Sequence, residues 1–72
     1  MKMYDVCYKL YGADLEKETQ VIAKTKADAY EIAAFEKIPE IEGEHPYSVW
    51  VKGYTTQKGD YHRFNTCEGM AY

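Results

Sequence analysis

Apolar and polar residues alternate along much of this chain, and the alternation marks out its elements. Over residues 3–11, Tyr4, Val6, Tyr8 and Leu10 form one apolar face while Met3, Asp5, Cys7, Lys9 and Tyr11 form a mixed one. That is the pattern of a half-buried strand. Gly12-Ala13-Asp14 supplies a turn, and alternation resumes over residues 16–24. There Thr19, Val21 and Ala23 face inward and Glu16, Glu18, Gln20 and Lys24 outward, so the two strands are expected to pair as a hairpin.

The period changes at Thr25, a good N-cap, with Asp28 three residues on completing a capping-box-like pair at the positive end of a helix dipole. A helix is expected from about Lys26 to Lys37, rich in Ala27, Ala29, Ala33 and Ala34, with small side chains that let it sit close on a sheet. Its buried stripe is expected to be Ala29, Ile32 and Ala33 with Tyr30 flanking, in preference to Ala27, Ala34 and Ile38. Ile38-Pro39 is expected to stop the helix, because proline disfavours helical geometry in the residue before it.

Residues 40–46 read as a loop around Gly43. The segment from Tyr47 to Thr55 reads as a third strand, with Tyr47, Val49 and Val51 on one face and Trp50 and Tyr54 on the other. Gln57-Lys58-Gly59-Asp60 forms a hairpin loop, Tyr61 to Cys67 a fourth strand, and Glu68 to Tyr72 a short tail. The element order ββαββ predicts an α+β fold: one four-stranded antiparallel sheet with a single helix packed on one face.

One helix covers one side of such a sheet, so the other side meets water or a partner. With Tyr4, Val6, Tyr8, Leu10, Val21, Val49, Val51 and Phe64 turned to the helix, the opposite face receives Met3, Cys7, Tyr11, Trp50, Tyr54, Tyr61 and Arg63. Eight Tyr, two Phe and one Trp make up 15% of 72 residues, more aromatic bulk than one small core can close over. A face of Trp, Tyr and Met beside Arg63 and Lys52 has the composition of an interface centre. In that reading Trp50 and Tyr54 are buried anchors, Tyr11 and Tyr61 their flanks, and Arg63 a rim group. The plainer alternative is that these aromatics cover one another as cross-strand pairs.

Length and charge narrow the picture. Seventy-two residues make one domain, 46% hydrophobic content excludes disorder, and so small a core makes homo-oligomerisation, such as a dimer, a natural expectation. The net charge is −3, with six Lys against nine Asp and Glu in residues 1–42 and an even balance beyond. That balance speaks against non-specific nucleic-acid binding, which depends on cations neutralising phosphates. No apolar run has the length of a signal peptide or a membrane span, so a cytoplasmic location without membrane insertion is expected. In that compartment Cys7 and Cys67 are expected to be free thiols.

Candidate chemistry is thin. Cys7, Cys67, His45 and His62 form no metal-ligand pair at a usable spacing. His62 and Cys67, five apart on one strand, project to opposite faces and make a poor nucleophile–base dyad. No Ser-His-Asp arrangement and no phosphate-cradling glycine loop can be placed. No catalytic residue, metal or cofactor is therefore expected. Glu31, Glu36, Glu40, Glu42 and Glu44 read as a solvated acidic face. Lys52, Lys58, His62 and Arg63, interleaved with Trp50, Tyr54 and Tyr61, have the composition of a stacking platform for single-stranded nucleic acid, the alternative to a protein partner.

At Pro46-Tyr47-Ser48-Val49-Trp50-Val51 and Arg63-Phe64-Asn65-Thr66 the chain resembles small uncharacterised accessory proteins of conjugative and phage-like mobile elements of anaerobic gut bacteria. The likeness runs loosely from Tyr4-Asp5-Val6 to Glu68-Gly69 and is one of pattern. It carries no functional residue over. What it implies is a context: an accessory protein, an inhibitor or adaptor, that acts on other macromolecules without catalysis of its own.

Overall fold

The computed structural model describes residues 1–64 and the backbone of residues 70 and 71. Strands β1 (Lys2–Lys9) and β2 (Lys17–Ala23) form an antiparallel hairpin, as the two alternating segments dictate. A helical segment follows, and then β3 (Ser48–Thr55), β4 (Tyr61–Arg63) and the two-residue β5 (Met70–Ala71). The sheet is antiparallel throughout in the order β2-β1-β3-β4, with β5 also paired to β3, at Ser48 and Val49. The expected ββαββ, α+β architecture is what the chain adopts. Met70 and Ala71, expected in a tail, supply the extra pairing; of the expected fourth strand, Phe64 lies past the end of β4, and residues 65–67, Cys67 included, lie outside the described residues.

The helix begins where its cap predicts. Thr25 Oγ1 accepts the Asp28 backbone N–H at 3.1 Å, satisfying one of the donors that a helix start leaves open. Its end is a correction to the sequence reading. Helix α1 (Lys26–Ile32) passes through a π-helical turn (Ala33–Lys37) into α2 (Ile38–Glu42), one run of 17 residues that carries Pro39 inside it. In a regular helix Pro39 would press its ring on the Phe35 carbonyl and lack an N–H for it. The wider π turn, closed by the Ile38 N–H on the Ala33 carbonyl, removes that conflict. The run stops instead at Gly43, whose φ of 76° allows it to return its N–H to the Pro39 carbonyl at 2.9 Å.

The core joins large side chains from the sheet to small ones from the helix. Tyr4, Val6, Tyr8, Val21, Ala23, Val49 and Val51 pack against Ala29, Ala33, Ala34 and Ile38, with Leu10, Tyr30, Ile32, Tyr54 and Phe64 at the margin. The expected stripe is thus half right: Ala29 and Ala33 are buried, Ile32 is only partly so, and Ala34 and Ile38 are fully enclosed. At the helix end, the Tyr8 hydroxyl donates to Glu42 Oε2 at 2.7 Å and Lys17 Nζ reaches both Glu42 carboxylate oxygens at 3.1 Å. Truncating Ile38, which has no exposed surface, is expected to cost about 2–5 kcal/mol. A denaturant melt of Ile38→Ala should show it; an unchanged midpoint would place Ile38 outside the cooperative core.

Candidate functional site

The sheet face turned away from the helix is built in rows by the strand registers. Ile22, Met3, Thr55 and Tyr61 stand side by side across β2, β1, β3 and β4. The next row is Gln20, Asp5, Gly53 and Arg63, and the one beyond is Glu18, Cys7 and Trp50. Trp50 is half-buried, Ile22 and Tyr61 are 65% and 46% exposed, and Arg63 is exposed. Of the residues assigned to this face from sequence, Met3, Cys7, Trp50, Tyr61 and Arg63 come together on it.

Tyr54 does not. Opposite β1 the register slips between Asp5 and Val6, so that Asp5 faces Gly53 and Val6 faces Val51, leaving Lys52 as an extra residue. This β-bulge reverses the in–out parity of everything after it. Tyr54 therefore turns to the helix side, opposite Tyr4, with ring centroids 5.6 Å apart. Two further rings join it there: His62 stacks on Tyr54 at 5.0 Å and Phe64 lies at 5.7 Å. Lys2 and Lys26 sit over Tyr54 and Phe64 at 4.8 and 4.5 Å, favourable cation–π placements. The assignment of Tyr54 as an anchor beside Trp50 is thereby overturned. So is the interleaved platform, since His62 and Tyr54 lie on one side of the sheet and Trp50, Tyr61 and Arg63 on the other.

Tyr11 is also displaced. It lies past the end of β1 in the turn at Gly12, 65% exposed, and packs edge-on against Tyr47 at 5.2 Å. Tyr47, expected to face the helix with Val49 and Val51, is itself 54% exposed. Together they line a shallow recess with Lys9 and Asp14. Trp50, by contrast, meets no other aromatic ring among the described residues. Cross-strand aromatic pairing accounts for Tyr4, Tyr54, Phe64 and Tyr47 and leaves Trp50 unexplained. Ile22 was visible in the sequence as an outward position, and its bulk was the signal to include it.

The bulge also shapes the face. Lys52 reaches across β1 to Glu18 Oε1 at 3.5 Å, an ion pair that spans the Cys7 position. Gln20 Nε2 donates to Asp5 Oδ1 at 3.2 Å. Gly53 is required: a methyl there would lie 2.5 Å from the His62 carbonyl oxygen and 2.6 Å from the Tyr61 hydroxyl, because the Tyr61 ring lies over it. Gly53→Ala is expected to cost about 1–3 kcal/mol by overpacking, read as a lowered denaturation midpoint; a neutral result would show that β4 is not held against β3 here.

Cys7 is a free thiol, 2% exposed, and donates weakly to Glu18 Oε1 at 3.7 Å. Burial first, then the negative charges of Glu18 and Glu16, push it up to about 11. It is protonated at neutral pH and a poor nucleophile. Burial and the hydrogen bond to Glu42 likewise push Tyr8 up to about 12. Among the described residues no three His, Cys, Asp or Glu side chains gather as a metal site, and no helix is long and apolar enough to cross a membrane.

These two acids make the fold sensitive to alkali. The unfolded chain releases the thiol proton near 9.0 and the phenol proton near 10.0, whereas the folded chain holds them to about 11 and about 12. Across that window the unfolded state binds fewer protons, so stability falls as pH rises. Melts of the native chain should lose midpoint above pH ~9, and Cys7→Ala should remove the lower part of that loss. Equal slopes in the two proteins would contradict the assignment. On the acid side, Glu42 is held below the usual carboxylate range by the Tyr8 hydroxyl and by Lys17, and its contribution is lost as pH falls through its folded value.

Comparison with protein-family models, with curated proteins and with solved structures gives no match to this chain.

Proposed function

We propose that this chain is a non-catalytic binding protein that engages a protein surface, a second copy included, through the sheet face bearing Trp50, Tyr61, Ile22 and Met3. The observation that supports it is Trp50: a half-buried indole on the face turned away from the helix, with no aromatic neighbour among the described residues. Large, partly exposed aromatics among self-paired polar groups are what interface centres are made of. Asp5 with Gln20 and Glu18 with Lys52 supply the paired rim. Arg63 remains beside Tyr61 as a group able to bond a partner's carbonyl or carboxylate. In the context that the resemblance implies, the role is that of a cytoplasmic accessory protein acting on other macromolecules.

The nucleic-acid reading has less behind it. The aromatics that would stack successive bases are divided between two faces. Of the cations that would follow a phosphate chain, Lys52 is engaged with Glu18 and His62 lies on the helix side.

Trp50→Ala is expected to weaken partner binding by about 2 kcal/mol or more, as central anchors do, and folding by less than the ~3–5 kcal/mol of a fully buried tryptophan, since the side chain keeps some exposure. The test is a partner captured from the native host, identified by mass spectrometry and titrated against both proteins, beside a denaturant melt of each. Intact binding with a collapsed melting midpoint would make Trp50 a core residue and remove the proposal. Affinity for a single-stranded oligonucleotide that falls steeply with salt would replace it with the nucleic-acid reading.

A further inference from the structure

We infer that the occupant of this face is a second copy of the chain, packed face to face about a two-fold axis along the seam between β1 and β3. The inference rests on the binding reading above and names its partner. It is argued from the way the rows are filled. Acidic groups of the face lie on the β1–β2 half, as Asp5 and Glu18, with Glu16 close enough to act on Cys7. Basic groups lie on the β3–β4 half, as Lys52 and Arg63. Lys9, at the end of β1, and Lys24, just past β2, are the exceptions.

Two sheets packed face to face keep their strands roughly aligned, which leaves two choices of in-plane axis. An axis across the strands would set each half on its own counterpart, acid on acid and base on base. An axis along the strands sets β2 of one copy over β4 of the other, and β1 over β3. Each row then meets its own mirror order. Ile22 stands opposite the Tyr61 position of the other copy, twice, so that the two exposed apolar positions of the face fall on each other, the Tyr61 ring leaning toward Gly53. Gln20 and Asp5 face Arg63 and Gly53, which sets the Asp5 carboxylate of one copy and the Arg63 guanidinium of the other in adjoining positions, with the Tyr61 ring lying over Gly53 beside them. Trp50 faces Cys7, and the two indoles straddle the axis. The Glu18–Lys52 pair, with 46% and 42% of the two side chains exposed, is solvated and free to exchange partners between copies.

Size fixes the strength expected. Strands of eight, seven, eight and three residues, at about 3.3 Å per residue and about 4.8 Å apart, present roughly 400 Å² of projected face per copy, about half the ~800 Å² per partner of a standard interface. The dimer is therefore weak, with a dissociation constant in the micromolar range, and sensitive to salt.

The experiment is sedimentation velocity at low salt, from low-micromolar to millimolar protein, on the native chain and two charge-swapped variants. In one, Asp5→Lys and Glu18→Lys make both halves basic; in the other, Lys52→Glu and Arg63→Glu make both acidic. The native chain should show a monomer–dimer equilibrium. Each variant alone should associate at least about tenfold more weakly, and their equimolar mixture should recover a heterodimer. Circular dichroism checks that both are folded. Should either fail to fold, Ile22→Ala, at a position 65% exposed, is the remaining probe and should weaken the native dimer without changing its melt. A native chain monomeric at millimolar concentration, a mixture of folded variants that stays monomeric, or an Ile22→Ala dimer of native strength overturns the inference. If the native chain is monomeric while Trp50→Ala still loses a different protein partner, the second copy is wrong and the binding face stands.

Discussion

One extra residue in β3 decides the character of this protein. Upstream of the slip at Lys52, Val49 and Val51 point to the helix and Trp50 away; downstream, Tyr54 points to the helix and Gly53 and Thr55 away. Because β4 pairs with the downstream part, it inherits the reversal. His62 and Phe64 join Tyr54 over the end of the core, and Tyr61 and Arg63 join Trp50 on the open side. With regular pairing the ring of Tyr54 would stand in water and Tyr4 would lose the neighbour that covers it. The bulge thus completes the core at one end and thins the aromatic content of the open face to what a partner could use.

The helix solves a matching problem of thickness. Tyr4 and Tyr8 project far from the sheet, so the element above them must present little: Ala29, Ala33 and Ala34 at the contact, and Ile38 where the tyrosines leave room. Reaching Ile38 and then the Glu42 carboxylate requires the helix to continue past Pro39, which the π turn permits. The Tyr8–Glu42–Lys17 cluster then pins the helix end to both strands of the first hairpin.

Local signals carried the order of elements, the Thr25 cap and the inward faces of β1 and β2. Each depends only on neighbours a few residues apart in sequence. What could not be read depends on distant partners. The bulge is a relation between Lys52 and β1, and a fixed period of two cannot register it, so Tyr54 was assigned to the wrong face. Pro39 is a stop signal in most helices, and only the packing of Ile38 and the bond from Tyr8 to Glu42 make continuation worthwhile. Tyr11 and Tyr47 sit at the ends of their strands, where alternation ceases to govern and the turn decides. The candidate face survived these errors in part, since Trp50, Tyr61, Arg63, Met3 and Cys7 owe their side to segments whose parity was counted correctly or was reset together.

The order β2-β1-β3-β4 has a bearing on how the molecule comes into being. β1 is a central strand, yet its second neighbour, β3, begins at Ser48. During synthesis the first hairpin and the helix would be complete while half of β1's hydrogen-bonding edge and much of the inner faces of Tyr4, Val6 and Tyr8 still lacked Val49 and Val51. Closing that long loop is the slow, entropically costly step. Until it happens the nascent chain presents an open, apolar strand edge of the kind that attracts other chains. The order of assembly, more than any single contact, is where this fold is most exposed to going astray.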